Sequence, residues 1–159
     1  MTEDARFEEG REKPLNLGAL DAEDLKVVSA LLQDAVFPAT EMLWEPRRRR
    51  FSLLVNRFRW EDRAASEARG RPYERTQAVL AVENVMRVAS HGLDRRDRDT
   101  VFSLLALEFE PGEDGAGRLV LFLAGDGAIR LDVEALELRL RDVTRPYRAP
   151  SGKAPEHGE

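Results

Sequence analysis

The sequence predicts an α+β domain in which one N-terminal helix packs on a curved antiparallel sheet, or partial barrel, of about six or seven strands. Helical spacing of apolar residues is clear only before Pro38. After Pro38, apolar and polar residues alternate over most of the chain, as in half-buried strands. A pattern of strand, Glu-Pro turn and strand occurs twice, in residues 40–91 and 101–141. Either a duplication with two pseudo-repeats or two independent meanders would produce this pattern.

The helix is expected to follow a short strand at residues 15–19. Asp21 is a favourable N-cap residue, and Glu23 and Asp24 place negative charge in the first turn, where the helix dipole favours it. Pro38 ends the helix, because the residue before a proline avoids helical geometry. The apolar stripe that faces the core consists of Leu25, Val28, Leu32 and Val36.

The first group of strands contains Met42–Trp44, Phe51–Trp60 and Val79–His91. Phe51–Trp60 has apolar residues on both faces, which favours a central position in the sheet. Residues 61–77 are polar and are expected to form a long loop, with or without one helical turn around Ala64–Ala68. The alternation of residues 79–91 changes phase at Glu83-Asn84, which indicates a β-bulge or a sharp bend.

The second group of strands contains the tightest hairpin signal in the chain, Gly125-Asp126-Gly127. Glycine adopts the positive φ that such turns need. Residues 134–142 follow a change of phase that matches the one in the first group, and they are expected to form either a bulged strand or a terminal helix. The strands of this group are expected at Val101–Glu110, Leu119–Leu123 and Ile129–Val133.

Length and composition indicate one domain with charged ends. A chain of 159 residues fits a single domain. Residues 1–13 are charged without periodicity and are expected to form a flexible N-terminal arm. Residues 14–143 are expected to form the single α+β domain. Residues 144–159 are rich in proline, glycine and charge, and are expected to form a disordered C-terminal tail.

The composition is that of a soluble globular protein, with 42% hydrophobic and 35% charged residues. No apolar run approaches the roughly 20 residues that a membrane helix requires, so no membrane association is expected. Residues 1–13 lack the apolar region of a secretory signal, and the chain contains no cysteine. By elimination, these observations favour the cytoplasm.

The sequence contains few residues that could carry chemistry. Its only histidines are His91 and His157, and neither has partners at the spacing of a metal site. No catalytic triad can be assembled, no G-x-S-x-G motif occurs, and the glycines at 125–127 lack the spacing of a phosphate-binding loop. We therefore predict no catalytic residue, no metal and no cofactor, and the sequence favours a protein that is not an enzyme.

The one sharp functional signal is a basic island at residues 47–75, which carry ten arginines and four acidic side chains in a chain of net charge −5. Arg57 and Arg59 are expected to share one strand face and to point at one ligand. The leading hypothesis is a non-catalytic binding or regulatory module that contacts a protein partner through residues 45–75. The side chains assigned to this surface are Arg48, Arg50, Arg57, Arg59, Arg63, Arg71 and Tyr73.

Two alternatives remain open beside this hypothesis. The same arginines would suit an accessory nucleic-acid-binding protein, because cations beside aromatic rings bind single-stranded nucleic acid, although the negative net charge weighs against it. The third hypothesis is an enzyme whose site is assembled from scattered residues. The sequence assigns no oligomeric state.

Several short segments resemble a bacterial family of unknown function, DUF2948, and the resemblance extends over roughly residues 14–142. It implies a small bacterial cytoplasmic protein, and it transfers no activity, cofactor or catalytic residue. The segments that carry it are Leu-Asp-Ala-Glu-Asp-Leu at 20–25, Leu-Gln-Asp-Ala at 32–35, Arg-Arg-Phe at 49–51, Val-Asn-Arg-Phe-Arg-Trp at 55–60 and Gly-Ala-Ile-Arg-Leu-Asp-Val-Glu at 127–134.

Overall fold

The computed structural model describes residues 14–93, 99–149 and 154–155. Antiparallel strands predominate in them, beside two short α-helices, α1 (Ala22–Leu32) and α2 (Arg63–Arg69). Short 3-10 helices occupy Ala39–Glu41 and Trp60–Asp62. The strands are β1 (Asn16–Ala19), β2 (Val36–Pro38), β3 (Met42–Glu45), β4 (Arg50–Phe58), β5 (Glu74–Val82), β6 (Val85–His91), β7 (Val101–Pro111), β8 (Gly117–Leu123), β9 (Ala128–Val133), β10 (Leu138–Asp142) and β11 (Tyr147–Arg148).

The prediction of a mostly antiparallel sheet with few helices is confirmed. The predicted numbers, about six or seven strands and one helix, are wrong, because the described residues contain an 11-stranded sheet and two α-helices. The additional strands include β2 and β11, which have 3 and 2 residues and are too short to show alternation. The additional helix, α2, lies within the polar stretch that was expected to be a long loop, at the place where one helical turn was the alternative.

Helix α1 begins where the sequence predicts and ends earlier. The Asp21 side chain caps it by accepting a hydrogen bond of 2.8 Å from the backbone N–H of Asp24. The helix ends at Leu32, and Asp34 then adopts a left-handed φ of 64°. Val36, predicted as the last member of the helical stripe, instead begins β2. The other members of that stripe, Leu25, Val28 and Leu32, are buried as predicted.

The strands form one open sheet in the order β1-β10-β5-β4-β2-β7-β8-β9-β6, with β3 also paired to β4 and β11 to β5. Two antiparallel meanders, β3–β4–β5 and β7–β8–β9, are its main parts. After each meander the chain bends, and the next strand pairs with the other meander. Strand β6 thus pairs with β9, and β10 pairs with β5.

The two bends lie side by side. Asn84, in the first bend, has a left-handed φ of 59°, which an asparagine adopts more readily than most residues. The N–H of Glu83 donates to the carbonyl of Glu137 at 2.9 Å, and the N–H of Glu134 donates to the carbonyl of Asn84 at 3.0 Å. The predicted changes of phase therefore correspond to bends between strands. Residues 138–142 are a strand, so the alternative of a terminal helix is wrong.

The core lies on one face of the sheet, under α1. In β4, Phe51, Leu53 and Val55 are buried while Ser52 and Leu54 between them are half-buried, as the alternation predicts. Helix α1 is joined to β7 by a hydrogen bond of 2.9 Å from the N–H of Leu107 to the hydroxyl oxygen of Ser29. The core therefore contains the buried stripe of α1 and the inward side chains of both meanders.

Residues 144–149, which belong to the segment predicted as a tail, contact the sheet. Tyr147 and Arg148 form β11 on the edge of β5, and the Thr76 hydroxyl donates to the carbonyl of Thr144 at 3.0 Å. Ala149 is buried. Residues 144–149 are thus held by contacts with residues 73–77, which the composition of this segment does not reveal. The arm predicted at 1–13 and half of the predicted tail, residues 150–153 and 156–159, lie outside the described residues.

Candidate binding site

Arg57, expected to reach a ligand, occupies the inward face of β4 next to the core. It continues the buried positions of Leu53 and Val55, and its side chain has 0% exposure. The carboxylates of Asp142 and Glu61 bind its guanidinium. Nε and Nη2 donate to Asp142 at 2.9 Å each, and Nη1 and Nη2 donate to Glu61 at 2.9 and 2.7 Å. Such bidentate, charge-assisted pairs are among the strongest hydrogen bonds in proteins.

These two carboxylates favour the charged form of Arg57. Burial by itself would lower the pKa of Arg57, but the hydrogen bonds and charges of Glu61 and Asp142 outweigh that effect and raise the pKa. Asp142 also accepts a hydrogen bond of 2.9 Å from the N–H of Leu15. The guanidinium therefore links β4 to β10 and, through Asp142, to the residue just before β1.

Arg59 and Arg71 form a second network around Asp62. Arg59 lies beyond the end of β4, so the expectation that it shares a strand face with Arg57 is wrong. Its Nη1 lies 3.3 Å from a Glu74 carboxylate oxygen and 3.7 Å from one of Asp62. Arg71 donates to both carboxylate oxygens of Asp62, at 3.0 and 3.2 Å. These guanidinium groups are engaged by carboxylates of this chain.

Asp62 makes this network sensitive to acid. Burial would raise the pKa of Asp62, but hydrogen bonds from Arg71 and Ser66 and the charge of Arg59 outweigh it and lower the pKa. A native pKa below the unfolded value means that the unfolded chain binds the extra proton. The stabilisation from Asp62 is therefore fully present above the ordinary aspartate pKa of about 4 and is lost as the pH falls through the lower native pKa.

We expect Asp62→Asn to flatten the acid side of the stability profile. Urea midpoints measured between about pH 7 and pH 3 should fall for the natural protein, and should fall less steeply for the variant. Asp132→Asn is the matched control, since Asp132 forms an exposed pair with Arg118 at 3.1 Å. Parallel profiles for the natural protein and Asp62→Asn would contradict this role of Asp62.

The other predicted site residues lie nearer the surface, in two places. Arg48 lies in the turn between β3 and β4 and pairs with Glu45 at 3.5 Å, and Arg50, the first residue of β4, pairs with Glu83 at 2.7 Å. Arg63 and Tyr73 both contact Glu67, at 3.1 and 2.8 Å. That these side chains contact a partner stays a prediction. The seven predicted residues do not form one surface, because Arg57, Arg59 and Arg71 lie in the two networks.

An apolar groove, which the sequence did not reveal, lies between strands β3 and β6. It encloses about 660 Å³. Met42 and Trp44 of β3 line one side and Val88 and Ser90 of β6 line the other. None of its lining residues is charged. The remaining lining residues are Ala39, Thr40, Phe51, Leu93, Phe102 and Ile129.

Both strands beside the groove are edge strands in the described part of the chain. Strand β3 pairs only with β4, and β6 pairs only with β9. At the first residue of β6, the N–H of Val85 donates to the carbonyl of Arg49 at 2.8 Å, which joins the start of β6 to the segment between β3 and β4. Leu43 and Met86, on the two edge strands, are 54% and 52% exposed. An unpaired strand edge beside an apolar groove is suited to bind an extended chain.

The β3–β4 turn, which the Arg49 carbonyl joins to the start of β6, is rich in arginine. Arg47 and Arg48 in this turn are both exposed. Arg49 pairs with Glu134 at 2.7 Å. The turn therefore carries more positive charge than its acidic neighbours balance.

Within 14–93, 99–149 and 154–155, no group of three or more histidine or acidic side chains could hold a metal ion. No helix in these ranges is long and apolar enough to cross a membrane.

The fold and the groove define a β-rich α+β domain with an apolar cleft between two strand edges and two internal arginine–carboxylate networks. The chain belongs to the family described as protein of unknown function (DUF2948), whose model matches residues 15–157. The resemblance seen in the sequence is therefore confirmed. No curated protein and no solved structure matches this chain.

Proposed function

We propose that this protein is a non-catalytic binding module that receives an extended segment of a partner protein in the groove between β3 and β6. The observation that carries this proposal is the position of two edge strands on either side of one apolar groove. Edge strands bind other chains through their backbone groups, and side-chain pockets beside them select the sequence. A cytoplasmic location is part of the proposal and rests on the cysteine-free composition.

The lining of the groove supports a protein ligand over a nucleic acid. Trp44, Phe51 and Phe102 line it together with aliphatic side chains, and no arginine is among the lining residues. Single-stranded nucleic acid requires cations along the path of its phosphates. Arg57 and Arg59, central to the nucleic-acid hypothesis, are instead held by carboxylates of this chain.

The exposed arginines at and beside the β3–β4 turn are available to bind acidic groups of the ligand. Arg48 lies in the β3–β4 turn and Arg50 is the first residue of β4, and their pairs with Glu45 and Glu83 are partly exposed to solvent. Exposed pairs of this kind are weak, so a ligand carboxylate competes with them at little cost. Arg63 and Tyr73 do not line the groove.

The groove is tested by selecting displayed random peptides on the immobilised protein and measuring their affinities for two variants. Ser90→Trp places a bulky ring in the groove from an exposed position of β6. Ala89→Trp, the matched control, places the same ring on the neighbouring residue, which does not line the groove. We expect selected peptides to bind Ser90→Trp at least about tenfold more weakly than the control, with both variants folded.

Two results would overturn the proposal. One is the selection of peptides whose affinity Ser90→Trp leaves unchanged. The other is binding of a single-stranded RNA oligonucleotide that weakens steeply with salt, is lost in Arg48→Glu and survives Ser90→Trp, which would favour the nucleic-acid hypothesis.

A further inference from the structure

The two halves of the sheet are equivalent in connectivity. In each, a three-stranded meander is followed by a bend and a fourth strand, and that fourth strand pairs with the last strand of the other meander. Val88 of β6 lies opposite Leu131 of β9, as Leu140 of β10 lies opposite Leu80 of β5. The bends exchange hydrogen bonds with each other. Strands β6 and β10 therefore occupy corresponding places in the two halves.

The outer edges of these two strands differ in one respect. Strand β1 covers the edge of β10, antiparallel to it, with Leu17 opposite Leu140 and Ala19 opposite Leu138. No described strand covers the corresponding edge of β6. Strand β1 thus shows that an antiparallel strand binds at this kind of edge. The uncovered edge is that of β6, which borders the apolar groove.

We infer that the groove binds its partner as an added strand, antiparallel to β6, with acidic side chains at the C-terminal end of the bound segment. This inference rests on the proposed function and specifies its ligand. In β1, Leu17 is half-buried and Ala19 buried, while Asn16 and Gly18 are exposed. The ligand has the same alternation, with small or aliphatic side chains directed into the groove beside Val88.

The direction of the added strand determines where its charges lie. Strand β6 begins at Val85, whose N–H is hydrogen-bonded to the carbonyl of Arg49 beside the β3–β4 turn. An antiparallel neighbour of β6 ends where β6 begins. The C-terminal end of the ligand therefore lies toward the β3–β4 turn and its exposed Arg47 and Arg48, whose guanidinium groups attract carboxylates.

The test uses two synthetic peptides of about eight residues with blocked termini, in which valine or leucine alternates with threonine. One peptide ends in Asp-Glu, and the other is the same sequence reversed. By fluorescence anisotropy in about 50 mM NaCl, we expect the peptide with the acidic C-terminal end to bind about tenfold more tightly. The double variant Arg47→Gln/Arg48→Gln should remove this preference, and Arg63→Gln, outside the groove, should retain it.

Two further readouts test the strand pairing itself. Amide hydrogen exchange at residues 86–90 should slow when the peptide binds, because edge N–H groups become hydrogen-bonded. A photo-crosslinker at the C-terminal end of the peptide should label residues 45–50. Labelling at residues 90–93 instead, or no slowing of exchange in β6, would overturn the inference.

The remaining outcomes separate this inference from the proposed function. Equal affinities for the two peptides, both weakened by Ser90→Trp, would overturn the inference and leave the groove as the binding site. Peptide affinities that Ser90→Trp does not change would overturn both. A dimer of the protein alone that Ser90→Trp dissociates, measured by sedimentation, would assign the edge of β6 to a second copy and overturn the inference.

Discussion

Arg57→Met is expected to lower the free energy of unfolding by about 3–5 kcal/mol, the cost of breaking a buried ion pair from one side. The substitution keeps an aliphatic stem and removes the guanidinium. Asp142, whose side chain is 4% exposed, then loses the cation 2.9 Å away, and Glu61 loses its partner at 2.7 Å. Urea unfolding followed by tryptophan fluorescence measures the loss.

Two further variants make the Arg57 result decisive. Arg118→Met removes an arginine from an exposed pair with Asp132 and should cost no more than about 1 kcal/mol. Arg57→Lys keeps the charge but cannot form the two bidentate contacts, so its stability should lie between those of the natural protein and Arg57→Met. A loss of less than about 1 kcal/mol for Arg57→Met would contradict a buried, doubly paired guanidinium.

Leu53→Ala is expected to cost about 2–5 kcal/mol, because it opens a cavity in the core. Leu53 is fully buried in β4, between Met42 of β3 and Leu80 of β5. Leu43→Ala is the matched control, since Leu43 lies on the adjacent strand and is 54% exposed. Its effect on the unfolding free energy should stay within about 0.5 kcal/mol. Similar losses for both variants, measured by thermal or urea unfolding, would contradict the inward direction of Leu53.

Much of the fold follows from local patterns in the chain. The N-cap at Asp21 and the alternation of Phe51, Leu53 and Val55 each act within a few residues, so the sequence reveals them directly. Strand β11 has 2 residues, and the hydrogen bond between Thr76 and Thr144 that accompanies it spans 68 positions. Such elements depend on distant parts of the chain and have no local periodicity.

The basic island at residues 47–75 also shows that local patterns do not identify partners that are distant in sequence. Composition places Arg57 among cations that could bind a ligand. The direction of its side chain, however, depends on Asp142, 85 residues away. The clue that was present is the spacing, because Arg57 continues the inward phase of Val55. An arginine in that phase requires a buried partner, and nothing near it in sequence identifies Asp142.

The groove was missed for a related reason. Trp44 and Phe51 have the alternation of core residues, and the sequence correctly places Met42 and Trp44 on one face of a strand. Whether that face is covered depends on the order of strands in the sheet, in which β3 and β6 are both edges. Strand order is a property of the whole chain that a local pattern does not determine.

The pairing of Asn16 with Arg141 joins the first described strand to one near the far end of the chain. During synthesis on the ribosome, β1 has no partner until β10 has emerged. The nascent protein therefore carries an uncovered strand and an incomplete core until β10 has been synthesised, the interval in which chaperones protect such surfaces.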